Sequence, residues 1–145
     1  MNLDLRAPLF FKKIEEFPAN ISQNEEYLVC YELNPVQSRN IEPDREQLLG
    51  ALVFIGKKDE KEVTTTIAAT NREIPLLVAA TLPAKQYFFM QSRDDHALSR
   101  DEWIDLAIEN QKDGLWERNK LGNLLYVRFL HEDDSFVTQV FREVL

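Results

Sequence analysis

An α+β fold, built as an antiparallel sheet with one clear helix in its second half, is what this chain predicts, and three stretches carry the prediction. A long apolar run over residues 74–81 is interrupted at Leu82-Pro83-Ala84-Lys85 and resumes as Gln86-Tyr87-Phe88-Phe89-Met90-Gln91. A helix follows: Ser99 with Glu102 three residues on has the form of a capping box, in which each side chain accepts an N–H left unpaired at a helix start. Gly114 supplies its stop, since glycine enters the left-handed conformation without a Cβ penalty. Residues 123–130 then alternate as a strand, Glu132-Asp133-Asp134-Ser135 forms a polar turn, and residues 136–144 return as its hairpin partner.

Taken in order, Leu9-Phe10-Phe11-Lys12-Lys13-Ile14 reads as a first strand, with Pro18 ending any extension. Residues 22–33 have two readings. Ser22 and Glu25 form a second capping-box pattern and suit a helix ending before Asn34-Pro35, whereas Tyr27, Val29 and Tyr31 share one face of a strand rich in strand-favouring residues. Residues 35–43 are polar and aperiodic, a connecting loop, and Pro43 opens a short helix over 44–49. Ala51-Leu52-Val53-Phe54-Ile55 is a buried strand ended by Gly56 and a charged turn at Lys57-Lys58-Asp59-Glu60, and residues 62–70 are its β-rich partner. In the helix from Arg100 to about Lys112, Trp103, Leu106 and Ala107 lie along one face with Ile104 and Ile108 beside them, a stripe wide enough to cover a sheet. Leu115-Trp116-Glu117 begins the connection to the next strand, where Leu125, Val127 and Phe129 take one face and Leu124, Tyr126 and Arg128 the other. The second half is thus β-α-β-β, and a duplicated β-α-β-β plan with a cleft between halves is open.

The 145 residues suit a single domain, with halves at 1–73 and 74–145. At that length a chain buries roughly 70% of its unfolded surface, so no disulfide or structural metal is required. A formal charge of -8 opposes attraction to phosphate backbones, which argues against nucleic acid as a partner, and it favours cationic ligands wherever the charge lines a cleft. Cys30 sits among apolar and aromatic neighbours and reads as a small buried hydrophobe. No run approaches the ~20 apolar residues needed to cross a bilayer, so no membrane partner is expected and the chain reads as cytoplasmic.

No phosphate loop, metal-binding cysteine cluster or nucleophile elbow appears, so no cofactor, metal or catalytic residue is assigned. His96 follows Arg93-Asp94-Asp95, where either aspartate orients it as a base, although a solvent-exposed loop histidine is the plainer reading. His131 leads into the acidic turn at Glu132, which lacks the ligand spacing of a calcium loop and reads as a charged hairpin tip. Tyr87, Trp103, Trp116 and Tyr126 are the more informative group, because rings beside a carboxylate hold flat or cationic molecules by stacking and cation–π attraction. Glu117, adjacent to Trp116, is the carboxylate that fits. Each ring taken singly is as readily core, and only convergence on one cavity makes a site.

The segment Leu82-Pro83-Ala84-Lys85-Gln86-Tyr87-Phe88-Phe89 resembles the strand with the pattern iPAGkYavf in the gyrase-inhibitor-like small-molecule-binding family, which includes the effector-binding domains of some bacterial transcription regulators. The helix and two strands that follow fall in that family's order, and the resemblance covers about residues 76–144. It implies a two-half α+β fold with a ligand cleft between the halves. Pro83, Ala84, Tyr87 and Tyr126 match; Lys85 stands at the usual glycine, and Leu124 where the family often has its ligand-binding glutamate. The expected site is therefore Tyr87, Trp103, Trp116, Glu117, Leu124, Tyr126 and Arg128. A stand-alone, non-catalytic module for a small organic cation or aromatic molecule is the leading function. A protein-interaction module presenting an acidic surface is the alternative, and an enzyme using Glu117 or His96 as acid or base the third.

Overall fold

The computed structural model describes residues 1–14, 18–33, 39, 45, 52–58 and 81–145. Their alternating apolar stretches form β1 (Asn2–Asp4), β2 (Leu9–Ile14), β3 (Glu26–Glu32), β4 (Leu52–Lys58), β5 (Thr81–Leu82), β6 (Gln86–Asp94), β7 (Leu121–Glu132) and β8 (Ser135–Val144), and the helix α1 (Arg100–Trp116) lies between β6 and β7. The α+β architecture read from the sequence is the one found. The expected strands over 62–70 and 74–80 lie outside the described residues, as does most of the short helix over 44–49. Arg45 there is helical, and so is Arg39 in the expected loop.

All pairings are antiparallel, in the order β1-β6-β8-β7-β3-β4-β2-β5. The two ends of that order are one and the same strand pair. β1 runs into β2 across residues 5–8, β5 runs into β6 across residues 83–85, Leu3 faces Tyr87, and Leu9 faces Leu82. Between these, the Leu5 N–H donates to the Lys85 carbonyl at 2.9 Å. Counting β1/β2 and β5/β6 as single bent strands turns the 8-stranded order into a closed ring of six, an even number, as an all-antiparallel ring requires. Among the described residues, closure leaves no edge strand for stray pairing. Exchanging β1/β2 with β5/β6, β3 with β7 and β4 with β8 converts every pairing into another of the set, so the strands obey an internal two-fold relation. The helix does not share it among the described residues: α1 follows β6, while residues 18–25, following β2, are turn, bend and coil.

The ring has two faces and two cores. Outside, Tyr27, Val29, Tyr31, Leu125, Val127, Phe129 and Val140 pack beneath Trp103, Ile104 and Ala107 of α1. Trp103 meets Tyr31 and Phe129 with ring centroids 5.3 and 5.9 Å apart. Inside, Phe11, Leu28, Cys30, Leu82, Tyr87, Tyr126 and Phe141 form the second cluster. The open question over residues 22–33 resolves as strand, because Tyr27, Val29 and Tyr31 serve the helix face while Leu28 and Cys30 serve the interior. Glu25 bonds back to Ser22 in a turn instead of starting a helix.

Two glycine assignments are corrected. Gly56 does not end its strand; it pairs with both Lys13 and Leu28, and the strand continues through Lys57 and Lys58. Those lysines are held by Glu25 at 2.9 Å and Glu26 at 3.3 Å in place of the expected turn. Gly114 is not the helix stop. It lies buried inside α1, where an added Cβ would sit 3.1 Å from Leu121 and 3.2 Å from Phe88, so it serves close helix–strand approach. Leu115 and Trp116, expected in the connection, complete the last turn. The stop is made by Arg118 at φ 64°: its N–H donates to the Leu115 carbonyl, and that of Asn119 to Gly114, both at 3.0 Å. This is a Schellman closure with arginine in the glycine position. Ser99 and Glu102 do form the expected capping box at the other end.

Arg118→Gly relieves a left-handed conformation that is unfavourable for a residue with a Cβ, and is expected to raise the unfolding free energy by ~1 kcal/mol in urea titrations. A loss of stability would contradict the left-handed closure.

Candidate functional site

Alternation along the strands sends Tyr87, Phe89, Leu124, Tyr126, Phe141 and Glu143 to the barrel interior at one end. Tyr87 meets Tyr126 edge-on at 6.0 Å and Phe141 at 5.5 Å, and Phe89 meets Phe141 at 5.1 Å. Leu3, Leu5 and Leu124 pack around this cluster and are only partly buried, and this partly exposed end is called the Glu143 mouth. Glu143 lies directly across from Tyr87 in the β6–β8 register. Its carboxylate accepts from the Lys85 ammonium at 2.7 Å, and Gly122 leaves room for it, since a Cβ there would fall 2.5 Å from its Oε2. Burial, then neighbouring charge that includes Glu143, pushes the Tyr87 and Tyr126 hydroxyls well above the ordinary tyrosine pKa. Both phenols therefore stay protonated donors. The Tyr87 hydroxyl donates a hydrogen bond to the Pro83 carbonyl; the Tyr126 hydroxyl makes no hydrogen bond among the described residues.

At the other end the interior is closed by charge. Glu26 accepts from Arg128 at 2.8 and 3.2 Å and from Lys58 at 3.3 Å, and Arg128 reaches on to Gln139, which bonds Gln91. Above this network opens a cavity of about 570 Å³ lined by, among others, Asn24, Glu25, Glu26, Lys58 and His131. Hydrogen bonds from Tyr27, Lys57 and Ser22 hold the Glu25 carboxyl down to about 2.

Of the residues the sequence singled out, Tyr87, Leu124 and Tyr126 converge on the first mouth. Arg128 shares the inner face but belongs to the opposite end, paired with Glu26. Trp103, on α1, packs against the outer face of the sheet. Trp116 and Glu117 are exposed at the far end of the helix, Glu117 as its C-cap. His96 sits between Asp95 at 2.8 Å and Glu102 at 3.2 Å, outside the barrel. Both carboxylates raise its pKa. Sequence reasoning missed Glu143 and its partner Lys85. The inward alternation of β8 was the available signal, since Glu143 shares the parity of Phe141.

No family model, curated protein or solved structure matches this chain. Among the described residues no group of histidine, cysteine and acidic side chains is placed to hold a metal ion, and no helix is long and apolar enough to cross a membrane.

A depressed carboxyl pKa stabilises the fold above the unfolded value and ceases to do so as pH falls through the folded one. For Glu25 that window runs from 4.5 down to about 2. Glu25→Gln is thus expected to be less stable than the parent at neutral pH, with the gap closing across this interval in unfolding titrations; a gap independent of pH would contradict the assignment.

Proposed function

We propose that this chain is a non-catalytic small-molecule-binding protein whose ligand is an organic cation with a flat or aromatic body, held at the Glu143 mouth of the barrel. The observation that carries the reading is one carboxylate, Glu143, set beside the buried rings of Tyr87, Tyr126 and Phe141 where Leu3, Leu5 and Leu124 form a partly exposed apolar rim. A carboxylate supplies the charge, ring faces supply cation–π attraction and stacking, and the Tyr126 O–H remains as a donor. The same reading extends the resemblance to the gyrase-inhibitor-like family: the acidic group absent at Leu124 is supplied from the neighbouring strand by Glu143.

Lys85 gives the site its mode of exchange. In the free protein its ammonium, on a side chain 42% exposed, neutralises Glu143. An ion pair so placed contributes at most ~1 kcal/mol, so a ligand cation displaces it at little cost.

Screening organic cations by thermal shift tests this reading. A ligand at 100-fold its dissociation constant stabilises the fold by ~2.7 kcal/mol. Glu143→Gln and Gly122→Ala are expected to reduce the effect, the second by displacing the carboxylate, while Lys85→Ala increases it by removing the competing cation. Tyr126→Phe keeps the buried ring and removes only the donor. The absence of any stabilising cation, or an effect indifferent to Glu143→Gln, would overturn the proposal.

A further inference from the structure

Arg142 carries a charge into the core, with 1% of the residue exposed. It stands on the outer face of β8, opposite Phe88 of β6 and Leu125 of β7, since its neighbour Phe141 faces the barrel interior. Its Nε donates to the Gly122 carbonyl at 2.8 Å and its Nη1 to Gln111 Oε1 of α1 at 2.7 Å. Burial pulls its pKa down to about 10 against the attraction of the Glu143 charge, so the guanidinium is still protonated at neutral pH. Taking a charge out of water is unfavourable, and an apolar side chain of the same volume would fill that space as well. A charge kept there points to a task other than packing.

The strand ladder indicates the task. Leu125 pairs with Arg142 and the next pair is Leu121 with Val144, so β7 takes four steps where β8 takes two, and Gly122, Asn123 and Leu124 bulge opposite Glu143. A bulge leaves backbone groups without ladder partners and re-aims the side chains beside it. The Asn123 carbonyl accepts from the Leu33 N–H at 2.8 Å, and the Gly122 carbonyl accepts from Arg142. Gly122 is also the residue against whose bare Cα the Glu143 carboxylate rests, since a Cβ there would fall 2.5 Å from Oε2. One glycine thus meets the guanidinium through its carbonyl and the carboxylate through its missing side chain.

We propose that Arg142 is the positioning residue of the Glu143 site: by holding the Gly122 carbonyl it fixes the bulge on which the carboxylate rests, and through Gln111 it ties that placement to the seating of α1. Helix and strands are joined around it by two further contacts. Asn110 Nδ2 donates to the Phe88 carbonyl at 3.1 Å, and Gly114 packs closely on Leu121 and Phe88. Arg142 lies on the other face of the sheet from the mouth, so it acts through Gly122. The consequence for binding rests on the assignment of Glu143 as the ligand's carboxylate, whereas the placement of Glu143 is measurable without any ligand.

Two readouts test it. In the free protein the reporter is the NMR signal of the Lys85 ammonium nitrogen, which lies 2.7 Å from the Glu143 carboxylate. Glu143→Gln marks where that signal falls when the contact is lost. Arg142→Met, similar in length and uncharged, is expected to carry the signal to the same place with Glu143 intact. Gln111→Met leaves the guanidinium in place but loosens it from α1; it is expected to move the signal part of the way, and it does not require Arg142→Met to fold. For binding, the probes are phenyltrimethylammonium and its uncharged isostere tert-butylbenzene, compared by ligand-observed NMR. The parent should prefer the cation about fivefold, the weight of one half-exposed ion pair, and Arg142→Met should erase that preference while leaving the affinity for tert-butylbenzene unchanged. Deleting a positive charge would by itself favour a cation, so the expected loss is opposite in sign to a direct charge effect. A residue that only supports the fold would weaken both probes alike. An unmoved Lys85 signal in both variants, or parallel loss of both probes, would overturn the proposal. A Lys85 signal that moves as expected, with cation binding indifferent to Glu143→Gln, would uphold the placement by Arg142 and overturn the binding assignment of Glu143 instead.

Discussion

The structure depends on one seam, the pairing of residues 2–10 with residues 81–88 that joins the two ends of the sheet order. An open sheet of this length would expose two edges and leave Leu28, Cys30, Tyr126 and Phe141 on a face covered by nothing among the described residues. Closing the ring gives those side chains a common interior and leaves the other face to α1. Hydrophobic burial drives both cores, but the seam decides that there are two of them, and it fixes which strands meet inside.

Closure also sorts the polar residues. A narrow barrel filled by aromatic and aliphatic side chains has no place for charge midway, so inward-facing charged groups collect at its two ends. One end neutralises its carboxylate fully: Glu26 faces both Arg128 and Lys58. The other pairs Glu143 with Lys85 alone among the described residues and keeps a rim of partly buried leucines. That asymmetry is what the proposed binding site at Glu143 rests on. A carboxylate held by two cations is closed on two sides, whereas one held by Lys85 is the one the proposed ligand would share.

Much of this was legible in the sequence, for a physical reason. In β7, Leu125, Val127 and Phe129 do pack beneath α1 while Leu124 and Tyr126 face inward, because period-two alternation specifies faces wherever both are buried by different partners. Helix capping by Ser99 and Glu102 is a local interaction, and it too could be read directly. Cross-strand placement could not. Glu143 and Tyr87 are distant in the chain, and only register sets them opposite one another. Trp116 and Glu117 misled for the converse reason: sequence adjacency suggested a ring beside its carboxylate, but the helix reaches its last turn there and leaves both in solvent. β3 was ambiguous because both of its faces are apolar, which erases alternation. Gly114 misled because glycine answers two needs, a left-handed turn and a close approach, and the sequence does not say which.

Amide hydrogen exchange at the seam tests closure most directly. The Leu5 N–H, bonded to the Lys85 carbonyl at 2.9 Å, and the Phe89 N–H, bonded to that of Met1 at 2.7 Å, span the joint. A closed barrel opens there only with the rest of the ring, so both amides should exchange as slowly as those of the β7–β8 hairpin and respond to denaturant with the same slope. Exchange of these two amides at the rate of an unprotected chain, with the β7–β8 amides still protected, would show an open sheet and contradict the barrel.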